Sequence, residues 1–351
     1  MVRVQALTVV PGVAQSARLE SVAYAVGDAE GVQLSTLSVG ICGTDAEIIA
    51  GKYGWAPPGK GRLVLGHECV AQVHKGAQGY LQGEFVVPIV RRPDPLPCAS
   101  CAVGEWDMCR NGGYTEHGIK LLDGFCAEQL TVNGNFLVRV PPEIGMLGVL
   151  VEPASVVAKA WEHIDRIGNR THWEPRRVLI TGAGPIGLLA ALLGTQRNLE
   201  VCVFDRADTG AKPALTRQLG AEYFCNGLEK LLTREPPDIV IECTGADELV
   251  LDVMRFNAPG AVTCLLGVSA AGRSKAVDVG ALNRTLVLEN DVIFGSVNAN
   301  RRHYDQAVAA LGQADPEWLH KLITRRVSLG QWHAGFERQS DDIKVVIDVA
   351  S

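Results

Sequence analysis

The sequence predicts an α/β chain of two units, an antiparallel, barrel-like β unit followed by a doubly wound parallel sheet. Three observations predict it. Up to about residue 155, short β-branched runs recur between Gly and Pro (VRVQALTVV, VQLSTLSVG, LVLGHECVAQV, EFVVPIV, AEQLTV, FLVRV), the pattern of strands joined by turns. From about Arg177 the runs VLIT, VCVFD, DIVIECTG, AVTCLLGV and VIFGSV alternate with helical stretches over 185–195 and 212–219, a βαβ series. Between the two textures Val156, Val157, Ala160, Trp161 and Ile164 fall at helical spacing, so a bridging helix is expected over 152–167. After Asn298 come helical patterns over 303–311 and 318–322 and a last strand, KVVIDV, expected to return to the first unit. The expected division is therefore 1–155 with 297–351, and 156–296.

Composition narrows the function. The chain has 351 residues, 47% hydrophobic and 21% charged, which suits one large or two medium globular domains. Lys and Arg number 33 against 39 Asp and Glu, a net charge of -6, and the doublets Arg91-Arg92, Arg176-Arg177, Arg301-Arg302 and Arg325-Arg326 are scattered. No basic stripe is available to displace counterions, so a nucleic-acid partner is not expected. The one long uncharged run, 178–196, is split by Gly182, Gly184, Pro185 and Gly187 into a short strand and a helix, so no membrane span is expected. The N-terminus carries Arg3 and alternates apolar with polar residues, as a strand does and a signal peptide does not. A cytoplasmic protein is the expectation.

The clearest motif is Gly182-Ala183-Gly184-Pro185-Ile186-Gly187, which follows strand VLIT and opens an apolar helix. The first glycine makes the tight turn, the second lets backbone approach a pyrophosphate, and the third allows the helix to pack closely on the sheet. Asp205 closes the next strand, at the place where an acid accepts hydrogen bonds from an adenosine ribose. It favours NAD by repelling a 2′-phosphate. Arg206, with Lys212 nearby, favours NADP if its side chain turns inward. Both cofactors stay open.

Ten cysteines in a chain of this size are ligands or small core residues rather than disulfides. Cys202, Cys225, Cys243 and Cys264 sit in or beside apolar runs and read as core, as do Cys69 and Cys126. Cys42, in GICGTD, and His67-Glu68, in VLGHE, follow strand-like segments, and Glu152 opens the bridging helix. A thiolate, an imidazole and a carboxylate leave a tetrahedral zinc with an open position, the arrangement of a catalytic site.

With GICGTD, VLGHE, the RRP segment, TEHGI, VEPAS, GAGPIG and GSVNA in this order, the chain resembles the zinc-dependent medium-chain alcohol dehydrogenase superfamily. Within that superfamily it is similar to the glucose 1-dehydrogenase family. The resemblance implies a GroES-like β-barrel catalytic domain, a Rossmann dinucleotide-binding domain, catalytic zinc and NAD or NADP. It implies an oxidoreductase that converts an aldose at C1 to the aldonolactone, with a zinc alcohol or polyol dehydrogenase as the alternative. Cys42 and His67 would be zinc ligands, Glu68 would coordinate directly or through water, and Glu152 would touch metal-bound water or substrate. Asp45 would fix the His67 tautomer, and Thr44 would receive the substrate proton.

Glu116 and Asn298 would bind sugar hydroxyls and the nicotinamide side of the cofactor. Cys98, Cys101 and Cys109 match three ligands of the superfamily's structural zinc, with Asp94 offered as the fourth. Val90, Val156 and Glu289 stand where glucose-specific relatives carry Asn, Asp and His, which implies a range of aldoses. A homo-oligomer, dimer or tetramer, is implied through the sheet edge at 287–295.

Overall fold

The computed structural model describes residues 3–23, 31–255, 257–269, 272 and 274–350. The chain divides into two compact units, Met1–Ser155 with Asn298–Ser351, and Val156–Val297.

The first unit is built on a mostly antiparallel seven-stranded sheet. Strand Val32–Gly40 lies near its centre, paired with Glu68–Lys75 on one side and with Lys344–Asp348 on the other. Lys344–Asp348 in turn pairs in parallel with Ile323–Ser328, so the C-terminal segment completes the sheet begun near the N-terminus. The alternating sequence VQLSTLSVG becomes alternating burial along the strand, as a sheet with one dry face requires. The core beneath it gathers Leu7, Leu34, Val39, Ile48, Leu65, Val73, Phe125 and Ile347.

Within LVLGHECVAQV the strand is interrupted. Leu63–Val64 pairs with Arg3–Val9, whereas Glu68–Lys75 pairs with Val32–Gly40. The switch falls at Gly66, whose φ is +89° and where a Cβ would stand 2.7 Å from Val39 Cγ1. Only glycine suits both demands, and the turn delivers His67 to the head of the second strand.

The second unit carries a six-stranded parallel sheet in the order Glu222–Phe224, Glu200–Phe204, Arg177–Thr181, Ile239–Glu242, Val262–Leu265, Val292–Gly295. Its central strands are buried nearly throughout, which explains why they read as continuous apolar runs. Helix Pro185–Thr195 starts with Pro in its first turn and is buried from Gly187 to Gly194. Gly194 lets it close on Trp161, where a Cβ would be 3.3 Å from the indole and 3.0 Å from Val201. The bridging helix spans Val151–Gly168. Among the described residues no helix is long and apolar enough to cross a membrane. Cys202 and Cys264 are buried as expected, but Cys225 and Cys243 are only half-buried, because each lies just past the end of its strand.

Candidate active site

Strand register brings the first group together. Gly40 pairs with Glu68 across the central strands, so Cys42, two residues beyond Gly40, and His67, one before Glu68, emerge at the same end of the sheet. A Cβ on Gly40 would stand 2.1 Å from Glu68 Oε2, so the carboxylate occupies space that any other residue would fill. Cys42 Sγ, a His67 ring nitrogen and a Glu68 carboxylate oxygen lie within 4.8 Å of one another, with His67 and Glu68 buried. Donors on a tetrahedral zinc at ordinary bond lengths are about 3.5 Å apart. The trio fits a metal by chemistry and by spacing.

Asp45 orders this trio. It is buried at the first turn of helix Gly43–Ile49; Oδ2 accepts from the Cys42 N–H at 2.9 Å, and Oδ1 stands 3.3 Å from His67 Nδ1. That leaves His67 Nε2 as the ring nitrogen free to ligate. Burial alone would push the imidazole pKa down, but the Asp45 carboxylate outweighs it and the value rises well above normal. The Thr44 hydroxyl is 3.9 Å from Cys42 Sγ. Glu152, in the first turn of its helix, feels His67, Glu68, Lys344 and Asp45; burial, with Glu68 and Asp45 adding, pushes its carboxyl up to about 7 against His67 and Lys344.

Lys344 was not anticipated. Its side chain is buried, forms an ion pair with Glu68, and donates to the Ile41 carbonyl at 3.0 Å. A charged residue opening the apolar run VVID was the signal available in the sequence.

Glu116 is buried rather than exposed. Arg91 donates to its Oε1 from Nε at 3.0 Å and from Nη2 at 2.9 Å, and the guanidinium stacks on Tyr114 at 3.6 Å. Arg91 also donates to the Asp107 carbonyl at 3.3 Å, and the Asp107 carboxylate accepts from the Asn300 amide at 2.7 Å. Asn298, at φ +52°, holds both polar atoms of its side chain buried with no hydrogen-bond partner among the described residues. Such a pair of orphans calls for a ligand or water.

The sulfurs of Cys98, Cys101 and Cys109 form the second compact group. The Arg110 N–H donates to Cys98 Sγ at 3.4 Å, and it and other backbone donors draw that thiol down to about 6, while burial pushes Cys101 up to about 11. The Asp94 carboxylate is not brought into this group. Its Oδ1 accepts from the Leu96 N–H at 2.8 Å across Pro95, and it packs on Gly113, where a Cβ would sit 2.5 Å from Oδ2.

In the second unit Gly182 turns at φ +92°, nothing lies within 4 Å of a Cβ placed on Gly184, and a Cβ on Gly187 would be 1.7 Å from the Gly182 carbonyl. Pro185 and Ile186 form the first turn of the helix that follows. Open space over the second glycine and tight packing under the third are what a pyrophosphate cradle needs. Asp205 accepts from the Ala183 N–H at 2.8 Å and the Ala207 N–H at 3.0 Å, and Lys212 pairs with it at 3.2 Å. Burial opposes ionisation of Asp205, yet these donors carry its pKa below the usual carboxylate range. Arg206 is exposed.

Two family descriptions match the chain: an alcohol dehydrogenase GroES-like domain over residues 28–142 and a glucose dehydrogenase C-terminus over residues 145–349. Glucose 1-dehydrogenase 2 of Vulcanisaeta moutnovskia is 39% identical, covering 98% of this chain and 99% of its own. Glucose 1-dehydrogenase of Thermoproteus tenax is likewise 39% identical, with 98% and 99% covered. The solved structure of Haloferax mediterranei glucose dehydrogenase, in complex with NADP, Zn and gluconolactone, is 30% identical, superimposes with a TM-score of 0.91 and covers 99% of both chains. With a GroES-like β unit, a doubly wound dinucleotide-type sheet and relatives matched end to end, the chain belongs to the glucose dehydrogenase family of zinc-dependent medium-chain dehydrogenases.

Proposed function

We propose that this protein oxidises an aldose at C1 to the aldonolactone, transferring hydride to NAD(P) and releasing a proton. The observation that carries the proposal is the compact Cys42, His67 and Glu68 trio, with His67 and Glu68 buried, in a chain that also holds the open glycine cradle. A bound zinc supplies Lewis acidity at the sugar hydroxyl, and the dinucleotide supplies the hydride acceptor.

The chain's own residues bind, orient and move the proton. Cys42 and His67 hold the metal, with Asp45 fixing the imidazole. Glu68 is an alternate or additional oxygen donor, tethered by Lys344. The Thr44 hydroxyl takes the proton leaving O1. Glu116, held by Arg91, accepts from sugar hydroxyls, and Glu152 does the same at the metal's edge. The orphaned Asn298 amide both donates and accepts, toward the sugar or the carboxamide of the cofactor. In the second unit Gly182, Gly184, Pro185, Ile186 and Gly187 cradle the pyrophosphate. Asp205 takes the adenosine ribose, and Lys212 and Arg206 offset its charge enough to admit a 2′-phosphate. Cys98, Cys101 and Cys109 hold a structural zinc whose fourth donor is not Asp94 as that residue stands.

Val90 is buried and its side chain is apolar, and its N–H is spent on the Tyr304 hydroxyl at 3.2 Å, so this position offers sugar no polar partner. A range of aldoses follows, because rejection of an analogue depends on buried polar groups left unpaired. Helix Val279–Glu289 buries none of its residues and exposes Val279, Val287 and Leu288 beside the edge strand Val292–Gly295. We assign this face to contact with a second copy of the chain. A substrate panel followed through reduced-cofactor absorbance tests the activity. Turnover of several aldoses is expected; turnover of sorbitol or threonine with none on aldoses would overturn it.

A further inference from the structure

Glu242 ends strand Ile239–Glu242 and is completely buried, at 0% exposure. Every hydrogen bond of its carboxylate is one it accepts. Oε1 takes the Thr181 hydroxyl at 3.1 Å, the Thr244 N–H at 2.7 Å and the Thr244 hydroxyl, and Oε2 takes the Gly245 N–H at 3.0 Å. Backbone N–H groups cannot reverse to accept, so each oxygen accepts at least one hydrogen bond. Among the described residues no cationic side chain pairs with the carboxylate. Gly267 packs closely on it: a Cβ there would meet Glu242 Oε2 at 2.6 Å and the Gly245 nitrogen at 2.0 Å. An unpaired charge in such a place is costly and is seldom kept without a use.

Its position suggests the use. Thr181 pairs in register with Glu242, and their strands are the two neighbours between which the sheet order reverses. Ligands of open α/β sheets bind outside the carboxyl ends of the strands at that reversal. Asp205 closes the strand on one side of Arg177–Thr181, and its carboxylate is tied to the glycine turn through the Ala183 N–H. A dinucleotide with its adenosine there and its pyrophosphate on the glycine turn extends its other nucleoside toward Ile239–Glu242 and Val262–Leu265. The nicotinamide half then lies on the side where the sheet carries a buried carboxylate that has no cationic partner among the described residues.

We propose that Glu242 biases this site toward the oxidised dinucleotide. The nicotinamide ring is a cation in NAD(P)⁺ and neutral in NAD(P)H, so a fixed anion in a dry environment discriminates between them. The same carboxylate also braces the Thr244–Gly245 turn, an effect shared by both redox forms. Only the ratio of the two affinities separates charge from bracing. The inference rests on the dinucleotide reading of the glycine turn.

The test is titration of the zinc-loaded protein, without sugar, with oxidised and with reduced cofactor, followed by intrinsic tryptophan fluorescence. Glu242→Gln removes the charge and keeps the shape. The expected result is a rise of about fivefold or more in Kd(oxidised)/Kd(reduced), a size reached by a charge acting through a partly screened interior. Glu242→Ser also removes the carboxylate and leaves space for water to meet the same donors. It should move the ratio the same way, and it serves if the Gln variant does not fold. Equal changes in both Kd values, with the ratio unmoved in the folded variants, would overturn the proposal and leave Glu242 as a brace alone. Absence of binding by the unaltered protein in either redox form would instead overturn the dinucleotide reading.

Discussion

Lys344 and Glu68 form an ion pair in which the two side chains are only 2% and 3% exposed. Lys344 opens the last strand of the sheet, and Glu68 belongs to the metal-type trio with Cys42 and His67. The lysine also donates to the Ile41 carbonyl, one residue before Cys42, so one ammonium steadies both the carboxylate and the backbone leading to the thiolate. It is a positioning residue.

Lys344→Met should cost about 3–5 kcal/mol of stability, because it leaves Glu68 buried and unpaired. The Lys344→Met/Glu68→Gln double variant should recover most of that loss. Denaturant unfolding of the two single variants and the double measures the coupling. Strictly additive losses would show that the pair acts independently.

Arg91 should act on sugar and leave the dinucleotide alone. Its fork holds the buried Glu116 while its third contact reaches the Asp107 carbonyl. Lysine cannot reproduce that geometry. Arg91→Lys is expected to raise the KM for aldose about tenfold, roughly the loss of one good charged hydrogen bond, with the KM for cofactor within twofold. Steady-state kinetics with each substrate varied in turn makes the check.

The Arg325–Asp342 pair gives stability a pH dependence. Arg325 grips both carboxylate oxygens, at 3.0 and 2.7 Å, where strand Ile323–Ser328 meets the segment leading into Lys344–Asp348. The hydrogen bonds from Arg325, against the opposing effect of burial, hold the Asp342 pKa below its ordinary value. A depressed folded pKa means that the contribution is present in full above the unfolded carboxyl value near 3.9 and is lost as pH falls through the lower folded value. Asp342→Asn should therefore lower stability by about 1 kcal/mol at pH 7, and the gap to the unaltered protein should close as the pH is taken from 5 toward 3. Thermal unfolding across that range reads it; a gap that stays constant would contradict the assignment.

Local features were legible from the sequence, and long-range side-chain pairing was not. The glycine turn sits where a buried apolar strand meets an apolar helix, and each part declares itself within about 20 residues. The helix beginning near Glu152 was equally plain from its spacing. The trio of Cys42, His67 and Glu68 depends on the pairing of Gly40 with Glu68, which no local pattern states; only the likeness of GICGTD and VLGHE to a known family drew them together. Lys344 lies 276 residues from its partner Glu68, and the Arg91 fork on Glu116 spans 25. Charged residues beside apolar runs look alike in sequence whether solvated or buried. Asp94 shows the converse: the likeness of the three-cysteine segment to the family's structural lobe suggested it as a ligand, but a carboxylate next to proline finds the N–H two residues on first.

The central claim is that Cys42, His67 and Glu68 hold a divalent cation on which turnover depends. Metal content and aldose oxidation, measured on the same samples during stepwise chelation, test it most directly. Turnover should fall to background while oxidised-cofactor binding persists, and zinc should restore it. Full aldose oxidation by protein shown to be free of metal would contradict the account.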